Sequence, residues 1–450
     1  MIEKYYDGAI EQVAAGLGTV EKNHLLVRYS GQFSVENLND TKQLEKNEDI
    51  FVQVHEFETG EITCAYEPYL TMICDGFRRY MTGTFEEFME TCDVYYLHRP
   101  VLLGYFNQDN TGREEIILLD EVAYEQERML AALERMLCAI ADRHPVLFVL
   151  NRFQLASKST MQLTARFLKC ENCNIGLVLG VSDIQAMPEF LVPDWEMLYE
   201  TLDDGSKIYH IGNSGRKKEE TIDDEKYVDY GSEKVYRKLQ NMVEFLDFDQ
   251  AAYYLETIER KIKFDNLLVD DAARFRMWLL FVKVSILRQD IPKALEICED
   301  LEKIHLAGKE EECAYEQDYL IATAYMYQGK LKEALEMAGE TYRIAGKMSD
   351  DYRMFLSELL EAKIQMSGWY NIFFCAQDVK IKESLIQNLI RYNYRNHLAH
   401  VYIYAYDNKP EIVKKANQSE ELLIYFSRGI RIAKKLGNEY LINMAYQRSE

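Results

Sequence analysis

Proline is scarce in this chain, with 7 in 450 residues. So few helix breakers leave room for long uninterrupted helices. No apolar stretch approaches the roughly 20 residues a membrane-spanning helix needs, so no span is expected. The opening Met1-Ile2-Glu3-Lys4 lacks the basic-then-apolar pattern of a secretory leader. Nine cysteines are an odd number scattered over a long chain, which argues against a disulfide framework and for reduced thiols. Cytoplasmic location is the expectation. Positive charge is short as well, since 52 Lys and Arg against 75 Asp and Glu leave a net charge of −23. That charge repels phosphate and excludes a general nucleic-acid-binding surface. It favours basic partners.

Metal-ligand patterns are incomplete. Cys170-x-x-Cys173 has thiols at metal spacing but no second pair to complete a zinc site. His397 and His400 share a helix face, and two histidines do not make a metal site. Asn107-x-Asp109-x-Thr111-Gly112 begins like a calcium loop, but Leu118 stands where the bidentate acid belongs. A polar turn between Tyr105 and Ile116 is the better reading. Neither a metal nor a cofactor is expected.

What is there is a change of pattern along the chain. Residues 1–22 read as a short amphipathic helix. Residues 23–211 alternate buried apolar runs with helices, as a parallel-sheet α/β fold does. Strands are expected at 24–29, 50–55, 146–150, 175–181 and 207–211, with a further pair near 101–106 and 116–119. Residues 212–231 (GNSGRKKEETIDDEKYVDYG) have the glycine and dense charge of a linker. From 232 to 450 the chain reads as helix upon helix, and no strand is expected there.

The stretch HPVLFVLNRFQLASKSTMQLTARFLKCENCNIGLVLGVSD, His144 to Asp183, carries the sharpest comparison. It reads as a strand, a polar turn, a helix over Ser159–Leu168 and a second strand. The order of these elements, with Gln154 and Ala156 in the turn, resembles the STAND group of P-loop ATPases, bacterial signalling ATPases that end in tetratricopeptide repeats. The preceding helix EQERMLAALERMLCAIADRH and the upstream segment VHEFETGEITCAYEPYLTMICDGF are also similar to that group. The resemblance covers roughly residues 20–212 and implies a P-loop-like domain. It also implies a chemistry that these residues lack. Asn151 and Arg152 stand where the family's two acids hold Mg²⁺ and orient water. Asp183 stands where an Arg senses nucleotide. Counting from Gly31 after the first strand, Glu36 replaces the second glycine of the phosphate loop and Asn37 replaces its lysine. No G-x-x-x-x-G-K-[ST] occurs in the chain. The resemblance therefore implies a degenerate, pseudo-ATPase module.

In the helical half, Gln317–Ala345 (QDYLIATAYMYQGKLKEALEMAGETYRIA) places Ala322, Tyr325, Gly329 and Ala334 at the small, aromatic, glycine and alanine positions of a tetratricopeptide unit. Looser copies align at Ala294 and Ala252. The expected architecture is a degenerate P-loop-like α/β domain over 1–211, a linker over 212–231 and an all-α tetratricopeptide-like solenoid over 232–450. The last helices, with Met444, Ala445 and Tyr446, suggest that the solenoid continues past the end of the chain.

The function expected from this organisation is non-catalytic: a regulatory or scaffold protein in bacterial signalling, binding a protein partner through the solenoid. The alternative is a nucleotide-binding switch that controls an output domain outside this chain. Partner contacts are expected at Glu316, Tyr319 and Tyr325. No nucleic acid or membrane is expected as a partner.

Overall fold

The computed structural model describes residues 2–18, 24–29, 49–58, 60–109, 121–170, 174–182, 187–203, 207–211, 229–265, 267–366, 383–407 and 416–447. Helix α1 (Ile2–Gly16) precedes strands β1 (His24–Tyr29) and β2 (Phe51–Glu56). Helices α2 (Tyr69–Tyr80), α3 (Phe85–Thr91), α4 (Arg99–Asn107) and α5 (Val122–Ala141) lead into β3 (Val146–Asn151). Then come α6 (Lys158–Lys169), β4 (Ile175–Val181), α7 (Val192–Asp203) and β5 (Lys207–Ile211). The five strands form one parallel sheet in the order β2-β3-β4-β1-β5.

The central strand β4 is buried at all seven positions and its neighbour β3 at all six. Parallel strands covered on both faces read as unbroken apolar runs, and VLFVL and IGLVLGV do. On one face Leu25, Val27, Leu147, Val149 and Val178 pack against Ala9, Ile10 and Val13 of α1. Gly176 permits that approach, because a Cβ there would meet a Val13 methyl at 2.6 Å. On the other face the Phe148 ring meets the edge of buried Tyr69 at 4.7 Å, and Tyr69 contacts Phe167 of α6 at 5.2 Å. Helix α6 starts where Ser157 accepts the Thr160 N–H, the expected N-cap chemistry.

Helices follow to the end of the described residues: α8 (Glu233–Glu244), α9 (Phe248–Phe264), α10 (Asp271–Leu287), α11 (Ile291–Leu301), α12 (Glu310–Gln328), α13 (Leu331–Met348), α14 (Asp351–Met366), α15 (Glu383–Arg391), α16 (Arg395–Asp407), α17 (Ala416–Leu436) and α18 (Glu439–Gln447). Asp270 and Asp290 cap α10 and α11. Gly329 ends α12 in the left-handed conformation at φ 80°, which only glycine adopts at no steric cost. Ala322 and Ala334 are fully buried in one cluster with Leu331, Ala338, Leu360 and Ile364. Gly429 lets α17 close on α16, since a Cβ there would meet the Ala399 carbonyl oxygen at 3.0 Å.

One expectation needs correction. The segment 101–106, expected as a strand, lies in α4, with Val101, Leu102 and Gly104 buried. A short apolar run does not distinguish a buried strand from a buried helix. Its expected partner near 116–119 lies outside the described residues. The chain forms two compact units, one of Met1–Val94, Val101–Thr111 and Gln126–Tyr254, the other of Tyr95–Pro100, Gly112–Glu125 and Leu255–Glu450. Helix α8 and the start of α9 thus belong with the sheet rather than with the later helices. Polar contacts hold them there: Lys238 pairs with Glu61 at 2.8 Å, and Asp247 accepts the Ser159 N–H at 3.0 Å.

Candidate functional site

In an open parallel α/β sheet, ligands bind in the crevice beyond the carboxyl ends of the strands. Here those ends carry Tyr29 from β1, Glu56 from β2, Asn151 from β3 and, one residue past β4, Ser182. Their side chains are engaged with one another or with the turn after β3. The Tyr29 hydroxyl donates to Asn151 Oδ1 at 2.6 Å. Asn151 is fully buried. Arg152 Nε lies 3.4 Å from Glu56 Oε1. Gln154 Nε2 donates to Ser182 Oγ at 2.9 Å, and the Ser182 N–H returns to Gln154 Oε1 at 3.4 Å. Burial pushes the Tyr29 phenol above its ordinary range, and the Arg152 charge and the Asn151 bond oppose that rise.

The turn after β3 is built for this arrangement. Arg152 takes the left-handed conformation at φ 53°, ψ 41°, uncommon for a residue with a Cβ. Its carbonyl accepts the Leu155 N–H at 2.9 Å and opens a short 3₁₀ turn over Phe153–Leu155. Phe153 is buried and meets Phe57 edge to face at 6.1 Å.

Lys158, in the first turn of α6, is a further cation close in sequence to the turn after β3. It is paired with Asp249 of α9, and Asp194 of α7 lies 3.9 Å away. Burial would depress its ammonium, but Asp249, Asp194 and Asp247 outweigh that and raise it. Asp247 is itself pushed above the usual carboxylate range by burial, against its bonds to Ser159. A lysine bound to carboxylates of its own chain is poorly placed to clamp a phosphate.

Of the residues singled out in the sequence, Asn151 and Arg152 lie at this edge. Gly31, Asn37 and Asp183 lie outside the described residues. Among the described residues no group of three or more His, Cys, Asp or Glu side chains could hold a metal ion.

The partner-contact candidates sit elsewhere, on α12. The Glu316 carboxylate receives Arg353 at 2.8 Å. Tyr319 is half-buried between two clusters and stacks on Tyr315 at 6.0 Å. Tyr325 packs against the Ala322–Ala334 cluster, and Lys330 lies 5.2 Å from its ring centre. Acids along the earlier helices are similarly engaged: Glu259 and Glu296 pair with Lys263 and Lys293, and Asp300 with Lys263 and Lys303.

Helix α17 presents the opposite charge. Arg428, Arg431, Lys434 and Lys435 are exposed. An open groove of about 510 Å³ is lined by Ser427, Ile430, Arg431, Lys434 and Lys435. The sequence signal for it, SRGIRIAKKL, is a run of cations at helical spacing within an acidic chain, and whole-chain charge conceals it. No helix among the described residues is long and apolar enough to cross a membrane. The chain matches no family model, no curated protein and no solved structure.

Proposed function

We propose that the chain is a non-catalytic regulatory or scaffold protein, a degenerate P-loop-like module joined to a tetratricopeptide-like helical repeat region that binds another protein. The observation that carries this reading is the closure of the sheet's carboxyl edge by side-chain bonds: Tyr29 to Asn151, Arg152 to Glu56 and Gln154 to Ser182. A working nucleotide site keeps its metal acid available, whereas the residue at that position here, Asn151, is spent on a protein contact.

The binding face is the cationic side of α17, and its occupant is a short acidic segment of a protein partner. Arg428, Arg431 and Lys435 recur every three or four residues and so share a helix face. Over seven residues they span about 10 Å. Lys434 and Lys435 also favour the carbonyl end of α17, but Arg428 and Arg431 lie beyond the reach of that effect. Ile430 supplies an apolar floor. An extended polyanion such as a membrane or nucleic acid would confront the net charge of −23, whereas a short acidic segment engages the local patch alone. This reverses the charge expected of the partner from composition alone.

Fluorescence anisotropy with a labelled Glu/Leu peptide tests the face. Binding should weaken with salt and fall at least tenfold in Arg428→Glu/Arg431→Glu. Equal affinity in that variant, or preference for a Lys/Leu peptide, overturns the assignment. Thermal-shift titration with ATP and ADP, with and without Mg²⁺, tests the module. A folded-state ligand raises the melting temperature, so a concentration-dependent rise would favour a nucleotide switch instead.

A further inference from the structure

Cys138 lies in the last turn of α5, and Cys170 caps the C-terminus of α6. Their sulfurs are 3.5 Å apart, although the residues are separated by 32 positions. Both side chains are half-buried, so a small solute reaches them, whereas Cys74, Cys92 and Cys298 are buried. A disulfide needs a sulfur separation of about 2.05 Å, so the pair must close by about 1.5 Å. We infer that Cys138 and Cys170 form a dithiol oxidation site, which peroxide converts to a disulfide that staples α5 to α6.

The reaction balances. The Cys170 thiolate attacks one oxygen of hydrogen peroxide, the O–O bond breaks, and hydroxide leaves and takes up the thiol proton as water. The Cys170 sulfenic acid then receives the Cys138 sulfur. The S–S bond forms, the S–O bond breaks, and a second water carries off the Cys138 proton. The two thiols lose two electrons, and the peroxide gains them.

Placement assigns the order. Burial pushes the Cys138 thiol well up, and Cys170, Glu134 and Asp142 add to the rise. Cys138 is therefore the poorer first nucleophile and serves as the resolving thiol. Helix α5 leads into β3 and α6 leaves it, so the closed ring contains Asn151, Arg152 and the whole turn between them. Oxidation would rigidify the carboxyl edge of the sheet.

The test uses the full chain in a Cys173→Ser background, so that the neighbouring thiol cannot substitute. After treatment with hydrogen peroxide, peptide mapping should show a Cys138–Cys170 cross-link and the loss of two hydrogens per chain. Melting should move up by several degrees and return on adding dithiothreitol. Cys138→Ser should abolish both the cross-link and the shift. In the same background, phenylarsine oxide, which bridges two close thiols, should bind the reduced chain once, at Cys138 and Cys170, and block the cross-link. The proposal falls if both thiols stay open to alkylation after oxidation, if Cys170 stops at a sulfinic acid, or if the arsenical leaves the pair untouched.

Discussion

The Tyr29 hydroxyl donates to the Asn151 amide oxygen at 2.6 Å, from one side of β4 to the other. Strands β1 and β3 are not neighbours, yet their last residues meet above the strand between them. Where a metal-bound carboxylate would stand by the resemblance, a buried amide is held by a phenol.

That bond should matter to stability. Tyr29→Phe removes the donor and takes this bond from the buried amide oxygen, at a cost of about 1–3 kcal/mol. Chemical denaturation of the purified variant measures it. A variant as stable as the parent would mean that water replaces the phenol, and that the edge is more open than the bond implies.

The purified chain should not hydrolyse ATP or GTP above background in a phosphate-release assay. Asn151→Asp should not restore turnover, because Lys158 remains paired with Asp249. Robust turnover in the parent that disappears in Arg152→Ala or Lys158→Ala would show that this edge is catalytic.

Ala334 is fully buried against Ala322, Leu331 and Ala338. Ala334→Arg overpacks that contact and buries an unpaired charge, so a loss of roughly several kcal/mol is expected. Ala334→Gly should cost only about 1 kcal/mol. Circular dichroism melts compare the two, and equal melting of Ala334→Arg and the parent would place Ala334 on a surface.

Stability should fall on mild acidification. Burial holds His397 well below the usual histidine range, with the Lys363 charge adding to it. The unfolded chain then binds a proton near pH 6.5 that the folded one does not. This contribution is fully present above pH 6.5 and is lost as the pH falls below that value, at about 1.4 kcal/mol per pH unit. His397→Leu should flatten the pH dependence of the denaturation midpoint between pH 7.5 and 5.5. His55, also held low by burial, retains its share. An unchanged slope would show that His397 stays uncharged in neither or both states.

Asp318 runs the other way. Burial and the nearby Glu340 and Glu302 push its carboxyl up to about 6. The penalty is absent below the ordinary aspartate range, grows as the pH rises through about 6, and is constant above that. Asp318→Asn should therefore stabilise the chain at pH 7.5, by about 1 kcal/mol once solvent screening of this partly exposed group is allowed for. The gain should vanish near pH 4. A loss at pH 7.5 would mean that the carboxylate has a cationic partner.

Much of the sheet was legible along the chain. Residues 24–29, 175–181 and 207–211 are strands as expected, and β2 and β3 differ from expectation by one residue at their ends. These runs are apolar and closely bounded, and Pro145 marks the entry to β3. Local residue preference suffices for such elements. It also suffices for Gly329, where the helix must turn, and for Ala322 and Ala334, where small residues allow close approach.

Other features were decided only in three dimensions. The run at 101–106 became helix because its surroundings, not its own pattern, selected between two buried conformations. Helix α8 joined the sheet unit through Lys238 and Glu61, 177 residues apart, and no pattern read along the chain records such a pair. The sequence alone placed Asn151 at the end of an apolar run, but only the fold brought Tyr29 to it. Composition summed all charges to −23, while tertiary contacts engaged acids such as Glu316 with Arg353 and left the cations of α17 exposed. Local conformation follows from neighbouring residues, whereas the pairing that gives a surface its chemistry depends on which distant residues packing brings together.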